Sequence, residues 1–84
     1  MKDLIVSTNY THLQSIKVFD GDKVVAEIKS TFNDIEPNIV KLVRDIPDIQ
    51  TVNFVGIHRI NEKYLNSVLS NFELKKRNIK VRLI

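Results

Sequence analysis

The order of hydrophobic patterns constrains the fold of this chain more than any other feature of its sequence. Three short strand patterns are followed by a helix, a strand, a second helix and a last strand, within 84 residues. Two strands, at residues 4–6 and 52–57, are apolar at nearly every position, whereas the other three alternate apolar with polar residues. Continuous apolar runs are typical of central strands covered by helices on each side, and alternation is typical of strands nearer an edge.

A sheet order follows from this contrast. The first and fourth strands take the centre, and right-handed crossovers through the helices make the first, fourth and fifth strands parallel. The two hairpin strands then lie antiparallel at one side. The sequence therefore predicts a single α/β domain over residues 1–84, with the succession β-β-β-α-β-α-β and a mixed five-stranded sheet in the order 3-2-1-4-5.

A hairpin is predicted around the Asp-Gly-Asp sequence at residues 20–22. A three-residue loop places Val18 opposite Val24 and keeps the apolar side chains on one face, which a two-residue loop does not. Either Gly21 or Asp22 is then expected in the left-handed conformation. The apolar face of this hairpin consists of Ile16, Val18, Val24, Ala26 and Ile28.

The first helix has a well-defined end and an ambiguous start. Thr31 with Asp34 resembles a capping box, while Glu36 before Pro37 resembles a cap followed by a first-turn proline. Pro47 is expected to end the helix. Its predicted buried stripe consists of Ile35, Ile39, Leu42, Val43 and Ile46.

The second helix is predicted to begin at the cap Asn61, with Ile60 and Leu65 at the two positions of a hydrophobic staple. The last strand alternates two cations with apolar residues. The predicted buried stripe of the helix is Leu65, Val68, Leu69 and Phe72, and the apolar positions of the strand are Ile79, Val81 and Leu83.

This succession of elements resembles the core of the ribonuclease H-like fold, which nucleases, Holliday-junction resolvases, transposases and actin-like ATPases share. In the nucleases the resemblance implies carboxylates around two metal ions, the first in the middle of the first strand. Here that position is Ile-Val-Ser at residues 5–7, and Asp3 lies at the beginning of the strand. The end of the fourth strand has no acid, and Glu36 and Asp45 on the first helix have no partners. We expect no catalytic residues, no metal site and no enzymatic activity.

The actin-like branch implies an Asp and a Gly in the turn after the first strand. Residues 7–9, Ser-Thr-Asn, have neither, so no nucleotide or other cofactor is expected. The two histidines, His12 and His58, lack a third ligand at a diagnostic spacing for zinc.

The carboxyl ends of the first and fourth strands bring polar residues together, and in parallel sheets such ends form ligand sites. Hydroxyl, amide, imidazole and guanidinium groups can bind a phosphate or carboxylate. The alternative is that these groups satisfy turn backbone and solvent. The candidate ligand or anion-binding residues are Ser7, Thr8, Asn9, His58 and Arg59.

The positive charge of the chain is concentrated in residues 73–84, which hold five basic residues and one acidic residue. These cations could contact nucleic-acid phosphates or an acidic protein. They also suit a helix carboxyl terminus and an exposed edge strand, where they need no partner. The candidate partner or nucleic-acid-binding residues are Lys75, Lys76, Arg77, Lys80 and Arg82.

The sequence thus predicts a small, non-enzymatic interaction or accessory protein that docks on a protein partner or associates with itself. The alternative is a nucleic-acid-binding accessory protein that uses the basic last strand. Because Leu83 and Ile84 give that strand apolar groups on both sides, we expect both to pack fully, with a partner on the outer edge or the adjacent helix surface.

A reducing compartment fits the absence of cysteine, and no apolar run approaches membrane-spanning length, so we expect a cytoplasmic protein without membrane contact. Ile, Lys and Asn supply 28 of the 84 residues, and their codons are rich in A and T. This composition suggests a gene of a low-GC bacterium or of a phage or mobile element, in which case the location is the host cytoplasm.

Overall fold

A mixed five-stranded sheet forms the frame of the protein in a computed structural model that describes residues 1–7, 13–55 and 65–84. The strand order is β3-β2-β1-β4-β5, as predicted. β1 runs antiparallel to β2 and parallel to β4, and β4 runs parallel to β5. The strands are β1 (Lys2–Ser7), β2 (Gln14–Asp20), β3 (Lys23–Ser30), β4 (Ile49–Val55) and β5 (Lys80–Leu83).

The described helices connect the parallel part of the sheet. A 3₁₀ turn at Phe32–Asp34 leads into α1 (Ile35–Asp45). Residues 65–69 are helical and are called α2, and α3 (Phe72–Lys76) follows before β5. β4 begins at Ile49, three residues before its predicted start. The predicted cap and staple at Asn61 and Ile60 lie outside the described residues.

All described helices share one hydrophobic core with one face of the sheet. The strands contribute Leu4, Val6, Val52 and Phe54, each fully buried. The expected cover of helices on each side is therefore wrong for the described helices. The physical reason is the direction of the chain connections. The crossovers from β3 to β4 and from β4 to β5 both move towards the β5 side of the sheet. Two right-handed crossovers in one direction place both helices on one face.

The register of the hairpin differs from the predicted one. Val18 lies opposite Ala26, not opposite Val24, and Val24 lies opposite Phe19. The extra residue between these pairs, Val25, forms a β-bulge. The bulge returns the following residues to the core face although the loop has only two residues, and Val24 is left 45% exposed.

The turn itself requires glycine. Gly21 has φ +66°, and the structure places no atom within 4 Å of a β-carbon built there, so backbone conformation alone selects this residue. Positive φ at the first central position is the pattern of a type II′ turn. Of the two residues predicted to adopt the left-handed conformation, Gly21 does so.

α1 starts at neither of the two predicted positions. Its first residue is Ile35, after Asp34, and Pro37 lies inside the first turn, where the missing N–H has no intrahelical acceptor. The Thr31 hydroxyl donates to the Asp34 carboxylate at 2.9 Å, so these side chains bond each other instead of forming the reciprocal capping box. The helix ends at Asp45, before Pro47, as predicted.

The second helical region is broken into two pieces. The side-chain oxygen of Asn71 accepts the N–H groups of Glu73 and Leu74, at 2.9 and 3.4 Å, and caps α3. This new start changes the phase of the helix, so Leu74 is buried while Phe72 is 75% exposed. The prediction that Phe72 belongs to the buried stripe is wrong for this reason. The same prediction for Leu69, which lies before the break and is 45% exposed, is also wrong.

A hydrogen-bonded turn at the end of α3 sets the direction of β5. Asn78 adopts φ +57°, its N–H donates to Lys75 O at 3.1 Å, and the Ile79 N–H donates to Leu74 O at 3.0 Å. These two bonds, together with the burial of Leu74 and Ile79, form a Schellman motif. β5 therefore begins directly beside β4.

Candidate functional site

The strand-end site is described only in part. Ser7 and Val55 are register partners at the ends of β1 and β4, as the topology predicts. Ser7 is half-buried. The other candidate ligands, Thr8, Asn9, His58 and Arg59, lie outside the described residues, as does His12. Anion binding at this edge stays a prediction.

Two acids considered for catalysis are engaged in structural hydrogen bonds. The Thr51 hydroxyl donates to the Asp3 carboxylate at 2.5 Å. The Glu36 carboxylate accepts the Ser67 hydroxyl and, at 2.8 Å, the Asn71 amide, which ties α1 to α2 and α3. Across residues 1–7, 13–55 and 65–84, no three His, Cys, Asp or Glu side chains gather as metal ligands would.

Arg77, one of the five predicted basic residues, forms an ion pair within the protein. Its Nε lies 3.4 Å from a carboxylate oxygen of Glu73, and Arg44 approaches the other oxygen at 3.1 Å. The hydrogen bond from Arg44, reinforced by Arg77, lowers the pKa of Glu73 below its ordinary value. Arg77 thus pairs with Glu73 within the α3 region, and Arg44 joins α1 to the same carboxylate, so the charge of Arg77 has a partner without a bound ligand.

The remaining cations lie in two separate places. Lys75 and Lys76 are exposed in the last turn of α3, where they complement the helix dipole. Lys80 and Arg82 lie on β5 and point to the side of the sheet opposite the helices, called here the open face. Among the described residues, Lys75, Lys76 and Lys80 make no ion pair. The fold therefore divides the basic segment into a helical pair and a strand pair.

Arg82 is held in place by a buried amide that the sequence did not single out. Asn53 is 3% exposed, and its side-chain oxygen accepts the Arg82 Nε at 3.1 Å. The amide nitrogen of Asn53 donates to Leu4 O at 3.2 Å and to the Thr51 hydroxyl at 2.9 Å. This network fixes the guanidinium on the open face, and its two terminal nitrogens bond to none of the described residues.

β5 presents backbone groups along its outer side that pair with none of the described residues. The N–H of Ile84 donates to Phe54 O at 2.8 Å, so residues 80, 82 and 84 direct their backbone groups towards β4. The N–H and C=O groups of Val81 and Leu83 therefore point outwards, and no strand of the described sheet lies beyond them. We call Lys80–Leu83 together with Ile84 the β5 edge.

The side chains at the end of this edge are not covered. Leu83 is 40% exposed and Ile84 is 62% exposed. The prediction that both pack fully is therefore wrong, although the strand is paired along Thr51–Phe54 of β4. The physical reason is that an edge strand has a neighbouring strand on one side only. The β5 edge thus combines outward-facing backbone groups, exposed apolar groups and two cations.

None of the described helices has the length and hydrophobicity that a bilayer span requires. A scan against protein-family models and a search of the curated proteins find no match to this chain. The resemblance to the ribonuclease H-like fold beyond its strand order therefore stays a prediction.

Proposed function

We propose that this protein acts by binding and that it docks on another protein through the β5 edge. The observation that carries the proposal is the outward-facing backbone of Val81 and Leu83 beside the exposed side chains of Leu83 and Ile84. Extended peptides bind such edges by adding a strand, with main-chain hydrogen bonds for affinity and side-chain contacts for specificity. The ribonuclease H-like arrangement serves in this proposal as a scaffold without catalytic acids.

The energetics favour a partner of this kind. Each outward hydrogen bond contributes about 0.5–1.5 kcal/mol net when a partner strand makes it. Covering the exposed parts of Leu83 and Ile84, together about one full side chain, adds about 1.5–3 kcal/mol at the usual value for apolar burial. The four-residue strand alone thus supports modest affinity, and the partner is expected to contact neighbouring surface as well.

A nucleic-acid interface is the second candidate. The open face carries Lys17, Lys80 and Arg82 with the half-buried Phe19, a combination of cations and an aromatic ring that single strands can use. However, Asp3 is a register partner of Phe19 on the same face, and one donor of Arg82 is engaged by Asn53. The strand edge is therefore the stronger candidate.

A photo-cross-linking side chain at position 83 tests the proposal in the cell that carries the gene. The matched control is the same side chain at position 25, because Val25 is also an exposed apolar residue on an edge strand. We expect one discrete protein adduct from position 83 and none from position 25. The adduct is identified by mass spectrometry, and its binding is then measured with purified proteins.

Three outcomes contradict the proposal: no protein adduct from position 83, equal adducts from both positions, or failure of the purified partner to bind. Adducts to RNA or DNA, with affinity that falls steeply between low and physiological salt, support the nucleic-acid alternative instead.

A further inference from the structure

We infer that the β5 edge takes an extended acidic strand, a segment of a partner in which acidic residues alternate with apolar ones. This inference rests on the proposed function and specifies the chemistry of the partner. It follows from three properties of the edge: its backbone polarity, its two side-chain rows and the sign of its charge.

The backbone determines that the partner segment is extended. Val81 and Leu83 offer two N–H and two C=O groups on the outer side of β5. A helix satisfies its own backbone and has no groups to match these, whereas a strand presents an alternating row of donors and acceptors at the same spacing. An added strand makes all four hydrogen bonds without moving β5, because residues 80, 82 and 84 keep their bonds to β4.

The side chains determine the pattern of the partner. Lys80 and Arg82 point to the open face, whereas Val81 and Leu83 point to the helix-covered face, where Val81 packs against the core. Residues directly opposite on an added strand lie within about 4.5–5.5 Å between β-carbons. Acidic side chains opposite Lys80 and Arg82, with apolar side chains in the other row and opposite Ile84, match the edge.

Arg82 is prepared for a carboxylate. Its Nε bond to Asn53 fixes the plane of the guanidinium, and the terminal nitrogens, which bond to none of the residues in the described ranges, form a pair of donors. Because the side chain is already ordered, less rotamer entropy is lost when a carboxylate binds. Lys80, which has no ion-pair partner among the described residues, supplies the second cation.

The same charges argue against a second copy of this chain as the occupant. Antiparallel pairing of two β5 edges continues the sheet and keeps both open faces on the same side. Lys80 and Arg82 of both copies then form one group of four cations within two adjacent strands. Like charges placed opposite each other destabilise such pairs, and the chain supplies no acid on β5 to offset them.

Capped synthetic peptides test the inference. The probe is a peptide of alternating Glu and Val residues with one Thr at each end. One control replaces each Glu by Lys, and a second control has the composition of the probe with its Glu and Val residues in separate blocks. We expect the alternating acidic peptide to bind, with amide NMR shifts centred on Val81 and Leu83. The lysine peptide is expected to bind at least tenfold more weakly, and the block peptide also more weakly.

Two pairs of variants locate the site. Lys80→Glu should weaken binding of the acidic peptide about fivefold, because an attraction of about 0.5 kcal/mol becomes a repulsion of similar size. The matched charge reversal Lys75→Glu, on α3, should change it less than twofold. Leu83→Pro removes an outward N–H and should weaken binding at least tenfold, whereas Leu83→Ala keeps that N–H and should weaken it about threefold or less. Circular dichroism verifies that each variant is folded.

Equal binding of the block peptide, or of an oligothymidylate, would show a site for polyanions and overturn the inference. A stable dimer of the wild-type chain that resists Lys80→Glu would also overturn it. If the cross-link at position 83 captures a partner whose contact segment is not an alternating acidic strand, the inference fails and the proposed function stands. If neither that cross-link nor any peptide gives binding, both fail.

Discussion

The two edge strands of the sheet, β3 and β5, both present backbone groups with which another chain can pair, and they limit that pairing in different ways. β3 is an eight-residue edge strand, long enough to template pairing with another chain. It carries a bulge at Val25 and charges of both signs, with Glu27 between Lys23 and Lys29. β5 has four residues, no bulge in its pairing with β4, and cations alone on its open face.

The two edges therefore differ in which strands can pair with them: β3 resists pairing with any strand, and β5 selects strands by their charge. A bulge interrupts the regular row of backbone groups, and mixed charges oppose any strand of uniform charge, so β3 resists pairing in general. A regular strand with one sign of charge opposes its own copies and attracts strands of the opposite sign. β3 is therefore interpreted as a blocked edge and β5 as a selective one.

The largest expected effect is on the anchoring of β5. Asn53→Ala removes an amide that bonds β1, β4 and β5 and leaves Arg82 without its buried acceptor, at a cost of about 2 kcal/mol in unfolding free energy. Urea denaturation measures this cost. The control Asn33→Ala, at an exposed position, should be nearly neutral. Equal stability of the two variants would show that the hydrogen bonds of Asn53 do not stabilise the fold.

Deletion of Leu83 and Ile84 should lower the unfolding free energy by about 1 kcal/mol. The loss is small because both side chains are substantially exposed, and the released residues regain conformational entropy. The same deletion should abolish binding of the alternating acidic peptide. Val24→Ser/Val25→Ser, the matched change on β3, should leave that binding intact. A loss above about 3 kcal/mol would indicate that both side chains are buried.

Deletion of Val25 tests whether the bulge protects β3, because it converts β3 into a regular edge strand. The pairs Phe19–Val24 and Val18–Ala26 remain possible, so the fold should persist with a change in unfolding free energy below about 1 kcal/mol. The flattened edge should then associate with itself, and sedimentation velocity should show species larger than those of the wild type. Unchanged sedimentation would show that charge, and not the bulge, blocks β3.

The smallest effect concerns pH. The Ser15 hydroxyl, with Lys29 and Lys17 nearby, lowers the pKa of Glu27 below its ordinary value of 4.5. A lowered folded-state pKa contributes stability that is present above the unfolded value and lost as the pH falls through the folded one. The melting temperature should therefore fall on acidification below about pH 4.5, and Glu27→Gln should reduce that fall. Identical pH profiles would contradict this contribution.

The strand order could be predicted because it depends on which strands are apolar on both faces, a property of residues 4–6 and 52–57 alone. Two other features could not. The bulge at Val25 depends on how a two-residue turn closes against β2, which the apolar pattern of the hairpin does not specify. The exposure of Phe72 depends on the helix break. Ser70-Asn71 is a sequence signal for such a break, but the apolar spacing of residues 65–72 favours one continuous helix. The one-sided helix cover was implicit in the predicted order and its right-handed crossovers.

The candidate site was predictable in its location and not in its details. The concentration of cations in residues 73–84 indicated the last strand as a binding surface, and the structure keeps Lys80 and Arg82 there. The role of Arg82 could not be predicted, since strand register brings its partner Asn53 close, whereas the i,i+4 spacing of Glu73 and Arg77 is visible in the sequence. A buried asparagine in an apolar strand is a signal for such a network.

Hydrogen exchange of the individual backbone amides along β5 shows which of them a docked strand protects. In the free protein, the amides of Val81 and Leu83 should exchange fast and those of Arg82 and Ile84 slowly, because only the latter two point towards β4. Saturation with the alternating acidic peptide should slow Val81 and Leu83 and leave the other two unchanged. Protection of Val81 and Leu83 in the free protein, or their continued fast exchange at saturation, would contradict docking of a strand at the β5 edge.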